Sequence, residues 1–505
     1  MRLYELIVQA DLGKPPQELL KSIKRKALLT APPAILLGFI SYRLTHQLPI
    51  LITIAAATLL YTFYDIIKLS GAAYQRRQEI ETELPFTATL ITMAANHSTP
   101  TATLANTLHI PSLKRTSREY LNILKYSHLY HTTPAQAANK LAENHPSTRF
   151  QTFLRAISAA ERGVGDPHSS LSDIARAELE SAHHQTEIAS EKLGVASSTV
   201  LMMFAVLPLT LTVFSLITNQ PSLLTLSYTT TIPSLILVNF LIEQAYPQTL
   251  KPHTSKPPPL LLIGCVAAFL GAFEALRPLP LPFSVAAGFN AFTLPIAIYY
   301  TSAAREHSKL ISTLPQLSRD IAEEAKKGSP PTAAMRKLIA SLKYPKNLLI
   351  SLYDRRRPRP YVAQAYMDML TESEKLGASS EELELVAETF NAIANTHSSY
   401  RSKSSFFKLT AYASAGILAA ASVAITTTIK KLSTPLDYTP MFTAGLLPHI
   451  TPNLQMYVDI AIIVNSYLLG LLAGKAHTGS FPLGLLDSVV TTTIATVILI
   501  IGGVI

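Results

Sequence analysis

The first evidence for the fold lies in residues 48–85, which read LPILITIAAATLLYTFYDIIKLSGAAYQRRQEIETELP. Its first part, residues 48–69, is apolar and long enough to cross a bilayer, because a helix rising about 1.5 Å per residue needs roughly 20 residues to span the hydrocarbon core. The basic pair Arg76-Arg77 and an acidic segment follow. The stretch therefore predicts a membrane span that leads into a polar region.

The composition of the whole chain indicates a membrane protein. Hydrophobic residues make up 48% of the 505 residues and charged residues only 15%, whereas soluble domains carry about 25% charged residues. The charge is missing from long blocks. The net charge of +10 comes from basic residues that flank these apolar blocks, which favours a membrane surface over nucleic acid as the partner.

Nine apolar blocks are candidate membrane spans. They are residues 27–44, 48–69, 195–217, 224–243, 260–276, 281–301, 409–429, 454–474 and 483–505. Lys and Arg collect before the first block and in the two long polar regions, after the second and the sixth. Because positive residues stay on the cytoplasmic side, we expect the N-terminus and both polar regions inside, and Ile505 outside.

The predicted fold is all-α, a polytopic membrane protein with two cytoplasmic helical bundles. In the first polar region the apolar residues recur at helical spacing, at Leu104, Leu108, Leu121, Leu124, Phe150, Phe153, Leu154 and Ile157. The predicted organisation is a cytoplasmic segment (1–26), a transmembrane pair (27–69), a first helical domain (70–194), four spans (195–301), a second helical domain (302–408) and three spans (409–505).

The two polar regions share an internal repeat. Leu84-Pro85 and Leu314-Pro315 lie 230 positions apart, as do Pro100 and Pro330. Later in each region the offset changes to 212, which matches Gly165 with Gly377 and Leu171 with Leu383. Because the order of the spans agrees with the order of the motifs, the sequence predicts a parallel repeat of two spans, a helical domain and two spans, followed by one extra span.

Sites for chemistry are not evident in the sequence. The glycines in Gly163-Val164-Gly165 precede no Lys that would complete a phosphate-binding loop. His183 and His184 are adjacent and point about 100° apart on a helix, so with Glu187 they favour a solvated face over a metal site. Cys265, the only cysteine, excludes an internal disulfide. We expect no enzymatic activity, metal or cofactor.

Basic clusters on the cytoplasmic side are the candidate contact residues. Such clusters bind either anionic headgroups or the acidic face of a partner protein. They comprise Arg76, Arg77, Lys114, Arg115, Arg118, Arg355, Arg356, Arg357 and Arg359.

The motif residues resemble the F-type domain of type II secretion and type IV pilus systems. The resemblance rests on the basic pair followed by Glu81, Glu83 and Pro85, and on the later segment with Gly165, Asp166 and Leu171. The second region keeps Pro315 and Gly377 but lacks the Glu-x-Glu and Gly-Asp pairs. Two such domains among about nine spans look like the archaeal form, the platform of archaella and archaeal type IV pili.

This resemblance implies a function without chemistry of its own. It implies a platform in the plasma membrane, a homodimer, that couples a hexameric cytoplasmic secretion ATPase to the insertion of pilin or archaellin subunits into a filament. Which filament the platform serves stays open. The alternative is a secondary transporter built from parallel repeats, which requires a polar site at mid-membrane.

Overall fold

The structure, a computed structural model, describes residues 3–11, 17–18, 20–21, 48–95, 99–163, 167–218, 222–252, 257–341, 344, 352, 360–433 and 452–503. It is 89% helical, with no strand in these ranges. The prediction of an all-α chain is confirmed. The predicted span 27–44 lies outside the described residues, and so do Gly165, Asp166 and the basic loop with Arg355, Arg356, Arg357 and Arg359.

Sixteen α-helices run through the described residues. They are α1 (Leu3–Ala10), α2 (Leu48–Ala94), α3 (Pro100–Asn106), α4 (Lys114–Tyr130), α5 (Pro134–Asn144), α6 (Thr148–Glu161), α7 (Pro167–Leu201), α8 (Leu207–Thr218), α9 (Ser222–Ala245), α10 (Pro259–Ala275), α11 (Leu281–Lys326), α12 (Pro331–Ala340), α13 (Tyr361–Lys375), α14 (Ser380–Ser433), α15 (Pro452–Thr478) and α16 (Leu485–Ile501). A π-helical turn, Met202–Val206, joins α7 to α8.

Three of these helices are much longer than a bilayer is thick. Helices α2, α11 and α14 contain 47, 46 and 54 residues. At about 1.5 Å per residue each extends roughly 70–80 Å, more than twice the hydrocarbon thickness of about 30 Å. Pro85 in α2 and Pro315 in α11 lie inside these helices without ending them. Each long helix joins an apolar stretch to a polar one in continuous backbone.

Glycines end two of the helices in left-handed conformations. Gly328, with φ +84°, follows α11, and the Ser329 N–H donates to the Glu324 carbonyl over 3.2 Å. Gly377, with φ +65°, follows α13, and the Ala378 N–H donates to the Ser373 carbonyl over 2.8 Å. This bond pattern satisfies carbonyls that a helix end leaves unpaired. It accounts for the predicted motif residue Gly377.

Within the described part of the chain, five helical segments are long and apolar enough to cross a membrane. They are Glu187–Ser215, Leu281–Lys326, Ser380–Thr428, Gln455–Thr478 and Pro482–Ile501. Each contains one of the predicted blocks or most of it. Pro233–Ala245 and Pro259–Ala275, which fall in the predicted fourth and fifth spans, are shorter apolar helices. Residues 48–67 of α2 are helical, with side chains outside the described set.

The chain divides into two compact units. The first comprises Met1–Leu179 together with Asp368–Leu385. Its core contains Ile80, Leu84, Phe150 and Phe153, and Leu385 belongs to the same cluster. This unit therefore includes a short hairpin from the predicted second domain, 302–408. Of the residues at predicted helical spacing, Leu108 and Leu121 are exposed to solvent.

The second unit comprises Glu180–Met367 and Val386–Ile505. One apolar cluster of its described residues joins four helices. It contains Ala286 from α11, Leu418 and Ala419 from α14, Val458, Ile462 and Ile463 from α15, and Ala495 and Leu499 from α16. The C-terminal hairpin of α15 and α16 thus packs against the apolar parts of both long helices of this unit.

Candidate functional site

Glu83, a predicted motif residue, caps a neighbouring helix of the first unit. Its carboxylate accepts hydrogen bonds from the N–H groups of Arg115 and Thr116, over 2.9 and 2.7 Å, and from the Thr116 hydroxyl over 2.9 Å. These N–H groups lie in the first turn of α4, where the preceding Leu113 offers no side-chain cap. Burial raises the pKa of Glu83 to about 7, against the opposing effect of these hydrogen bonds.

Glu81, two residues earlier, binds the start of a different helix. It accepts a hydrogen bond of 2.8 Å from the hydroxyl of Ser147, which is the N-cap of α6. It also pairs with the half-exposed Arg77 over 2.9 Å. The Glu-x-Glu motif therefore fixes α2 to the first turns of both α4 and α6, because residues two apart lie on different faces of a helix.

Arg76 lies at the centre of a buried charge network. Its guanidinium binds Glu119 through Nε–Oε1 and Nη2–Oε2 contacts of 2.9 and 2.6 Å, and Nη1 donates to the carbonyls of Val8 and Gln9. Arg115 adds a second contact to Glu119, at 2.7 Å. This network joins α1, α2 and α4, since the planar guanidinium holds a carboxylate and helix-end carbonyls at once.

His145 completes the network in its neutral form. The Ser147 N–H donates to His145 Nδ1 over 3.1 Å, and His145 Nε2 lies 3.7 Å from Glu119 Oε1. Burial lowers the pKa of His145, although Glu119 opposes this effect. Burial likewise opposes the ionised form of Glu119, but His145, Arg76 and Arg115 outweigh it and hold the pKa of Glu119 below its usual range.

The predicted docking residues separate into two groups. Lys114 and Arg118 are exposed, and Arg77 is half-exposed. Arg76 is only 5% exposed and its donors are engaged inside the unit, so we correct its prediction as a surface contact. Arg115 is largely covered through its pairing with Glu119. Proximity to a span had suggested a surface role for Arg76, but the acidic partner lies on another helix.

A second charge network lies around the turn of the C-terminal hairpin in the second unit. Lys475, near the end of α15, contacts Glu243 Oε2 and Asn239 Oδ1 of α9, each over 2.6 Å. Lys251 pairs with the same Glu243. The Lys475 side chain is mostly buried, and a buried charge needs a partner of opposite charge. The Glu243 carboxylate of α9 is that partner. This network ties the hairpin to α9.

The long helix α14 meets the same turn through four polar contacts. The Tyr400 hydroxyl donates to the Ala476 carbonyl over 3.0 Å, and Ser404 Oγ lies 3.0 Å from His477 Nδ1. Further along α14, Lys408 Nζ lies 2.5 Å from Asp487 Oδ1, and Tyr412 donates to the same carboxylate. The middle of α14, where its polar part meets its apolar part, is therefore fixed to the C-terminal hairpin.

Two glycines let the hairpin helices approach each other closely. A Cβ atom at Gly470 would lie 2.3 Å from Ser488 Cα, and one at Gly474 would lie 2.1 Å from the Gly484 carbonyl oxygen. Gly470 and Gly474 are four residues apart, the spacing of the small-residue motif that brings membrane helices together. The sequence interpretation overlooked this motif, although its spacing is visible.

Three of the remaining predicted motif residues lie inside helices or in the core. Pro85 and Pro315 lie inside α2 and α11, and Leu171 belongs to the core of the first unit. His184 and Glu187 are exposed neighbours on α7. Among the described residues no group of three potential metal-ligating side chains comes together. The polar groups described above hold neighbouring helices together.

The chain was also compared with known proteins. No protein-family model, curated protein or solved structure matches it.

Proposed function

We propose that this chain is the non-enzymatic platform of a type IV pilus-like assembly machine in the plasma membrane. In this proposal a hexameric cytoplasmic secretion ATPase docks on the helical regions, and its cycle drives pilin or archaellin subunits from the bilayer into a filament. The N-terminus and both helical regions face the cytoplasm, the C-terminus lies outside, and two copies associate. About nine spans, including residues 27–44 and 48–69, cross the membrane.

One observation carries the proposal, the continuity of the long helices. Helices α2, α11 and α14 each run from an apolar stretch into a polar one without a break. A helix with an unbroken series of backbone hydrogen bonds transmits displacement along its axis. Helix α14 contains no proline and has such a series, whereas Pro85 and Pro315 each remove one hydrogen bond from α2 and α11. The contacts of Lys408 and Tyr400 with the C-terminal hairpin fix α14 to the membrane part. Movement of the polar end would therefore reach the apolar helices.

The order of helices supports a repeat in this proposal. In each half a long helix with an internal proline, Pro85 or Pro315, is followed by a short helix beginning with proline. Later in each half a helix ends near a glycine with positive φ, Gly163 or Gly377, and a helix of at least 35 residues begins. The predicted repeat pairs Gly377 with Gly165, which lies outside the described residues. In this proposal the two related helical regions are joined to one set of membrane spans, so the ATPase can move both regions together.

Co-purification with the motor tests the proposal. We expect the tagged chain, extracted at low salt, to recover a secretion ATPase from its own cells and to hydrolyse no ATP alone. Reversal of Arg355, Arg356 and Arg357 to Glu should reduce this recovery without affecting membrane insertion. Arg277→Glu, in a turn predicted outside, is the matched control. Failure of the wild-type chain to recover any ATPase contradicts the proposal.

A transporter is the second candidate, favoured by one polar contact. Asn465, near the middle of α15, is buried and accepts a hydrogen bond of 3.1 Å from the Thr231 hydroxyl. Polar side chains within spans often mark transport sites. Solute flux in proteoliposomes that is lost in Asn465→Leu would establish this function, whereas flux unaffected by the substitution would leave the polar contact as helix packing.

A further inference from the structure

The direction of α4 in the first unit places its C-terminal end beside the apolar stretch of α2. Glu83 meets α4 at Thr116, and Arg76 meets it at Glu119, so α4 runs antiparallel to α2. From Glu119 to Leu129 the helix advances about 15 Å. The same distance along α2 leads from Arg76 back to Ile66, within residues 48–69.

Helix α1 also packs against α2 at the end of its apolar stretch. Its Ile7 and Ala10 pack against Leu69 and Ala73 of α2, at the end of the apolar stretch. Val8, which follows Ile7 in α1, lines a cleft of about 220 Å³ together with the C-terminal part of α4. Lining residues of this cleft include Arg76, Lys125, Tyr126, Leu129 and Tyr130. Leu129 thus lies close to the height at which α2 becomes apolar.

Side chains at this end have an interfacial character. Three large side chains are exposed here: Leu129 (65%), Tyr130 (43%) and Tyr4 (55%). Exposed apolar groups that cluster in this way often mark an interaction surface. Lys125 and Lys140 are exposed beside them, and Lys140 Nζ lies 3.3 Å from the centroid of the Tyr130 ring. Three acidic groups lie nearby, Asp11, which lines the cleft, and the exposed Glu5 and Glu143. Tyrosine and lysine with apolar neighbours are typical of the headgroup region.

We propose that these five residues, the interfacial patch (Tyr4, Lys125, Leu129, Tyr130 and Lys140), lie in the headgroup layer of an anionic bilayer. Leu129 and the tyrosine rings enter the boundary between headgroups and acyl chains, and the two lysines contact lipid phosphates. Continuity with the apolar stretch 48–69 identifies the occupant as lipid. The inference rests on the proposed function, in which that stretch crosses the membrane.

Tryptophan fluorescence tests the inference, because the chain contains no tryptophan. Single variants Leu129→Trp, Leu121→Trp and Leu60→Trp would be placed in nanodiscs of anionic phospholipid with brominated acyl chains. Leu121 is also exposed on α4 but lies about 12 Å further from the bilayer, so it is the matched control. We expect strong quenching at residue 60 and a quenched fraction at residue 129 at least about twofold larger than at residue 121.

Each result separates the inference from the proposed function. Quenching at residue 60 with equal, weak quenching at residues 129 and 121 overturns the interfacial patch and leaves the platform topology intact. No quenching at residue 60 overturns that topology. Adding Lys125→Glu and Lys140→Glu to Leu129→Trp should lower its quenching, as should zwitterionic lipid. Quenching unchanged by both treatments would overturn the role of the anionic headgroups.

Discussion

Arg76 and Glu119, 43 positions apart in the chain, form a bidentate ion pair. Arg76 Nη2 lies 2.6 Å from Glu119 Oε2, and both side chains are buried. Arg76 simultaneously donates to the last turn of α1. This pair fixes three helices at the end of the first unit that lies nearest the apolar stretch of α2. Its loss should therefore loosen the connection between the helical domain and its anchor.

Arg76→Ala should lower the free energy of unfolding by about 3 kcal/mol, because removal of this partner leaves Arg115 as the remaining cation beside the buried Glu119. Arg77→Ala, at the adjacent position, should change it by roughly 0–1 kcal/mol, since its pair with Glu81 is half-exposed. Denaturant unfolding of the purified chain in detergent, followed by circular dichroism, measures both. Equal effects of the two substitutions would contradict the assigned network.

Glu83 should make stability depend on pH. Its pKa of about 7 in the folded chain exceeds the usual 4.5, so the folded state binds its proton more tightly. This contribution is fully present below about pH 4.5 and is lost as the pH rises to about 7. At 1.36 kcal/mol per pKa unit the difference amounts to roughly 3 kcal/mol.

The matched variant for this pH dependence is Glu83→Gln. Because glutamine does not titrate, the difference in unfolding free energy between wild type and variant should change by this amount between pH 4.5 and 7. Urea unfolding at several pH values measures that difference. A constant difference across the range would show that Glu83 stays ionised in the folded chain.

Gly474→Ala should destabilise the C-terminal hairpin by about 1–3 kcal/mol, because the new methyl group meets the backbone of Gly484. Gly271→Ala, in apolar helix α10, is the control. No atom outside its own helix lies within 4 Å of the added carbon, so this change should be neutral or stabilise by up to about 1 kcal/mol. Thermal unfolding in detergent compares them, and a stable Gly474→Ala variant would argue against close α15–α16 packing.

Lys408→Glu should separate the movement of α14 from that of the C-terminal hairpin, without preventing the ATPase from docking. The new carboxylate would face Asp487, so the contact between α14 and the hairpin would be lost. We expect filament assembly in cells to fall roughly fivefold or more, with ATPase recovery unchanged. Lys403→Glu, on the same helix but exposed, should assemble filaments normally. Normal assembly in Lys408→Glu would place the coupling elsewhere.

The sequence predicted the helices well because their signals are local. Apolar blocks identified the segments around α11, α14, α15 and α16. Gly377 was named only as a repeat and motif residue, and its position after the end of α13 came from the structure. The extent of the long helices was not predicted, because proline usually begins or ends a helix, whereas Pro85 and Pro315 each lie inside a helix that continues across it.

The charge networks depended on tertiary contacts that no local pattern contains. Arg76 beside a span suggested a surface role, but its partner Glu119 lies on a separate helix. Lys475 and Glu243 are likewise brought together only by the packing of α15 against α9. Glu81 and Glu83 were identified through family resemblance, and their capping of α6 and α4 emerged from the geometry.

Cysteine labelling in intact cells tests whether both helical regions face the cytoplasmic motor. In a Cys265→Ala background, Glu143→Cys and Ala333→Cys place an exposed thiol in each region, and Thr218→Cys places one in a turn predicted outside. A membrane-impermeant maleimide should label residue 218 in intact cells, and residues 143 and 333 only after lysis. Labelling of residue 143 or 333 before lysis would contradict the account, because no cytoplasmic ATPase could then reach that region.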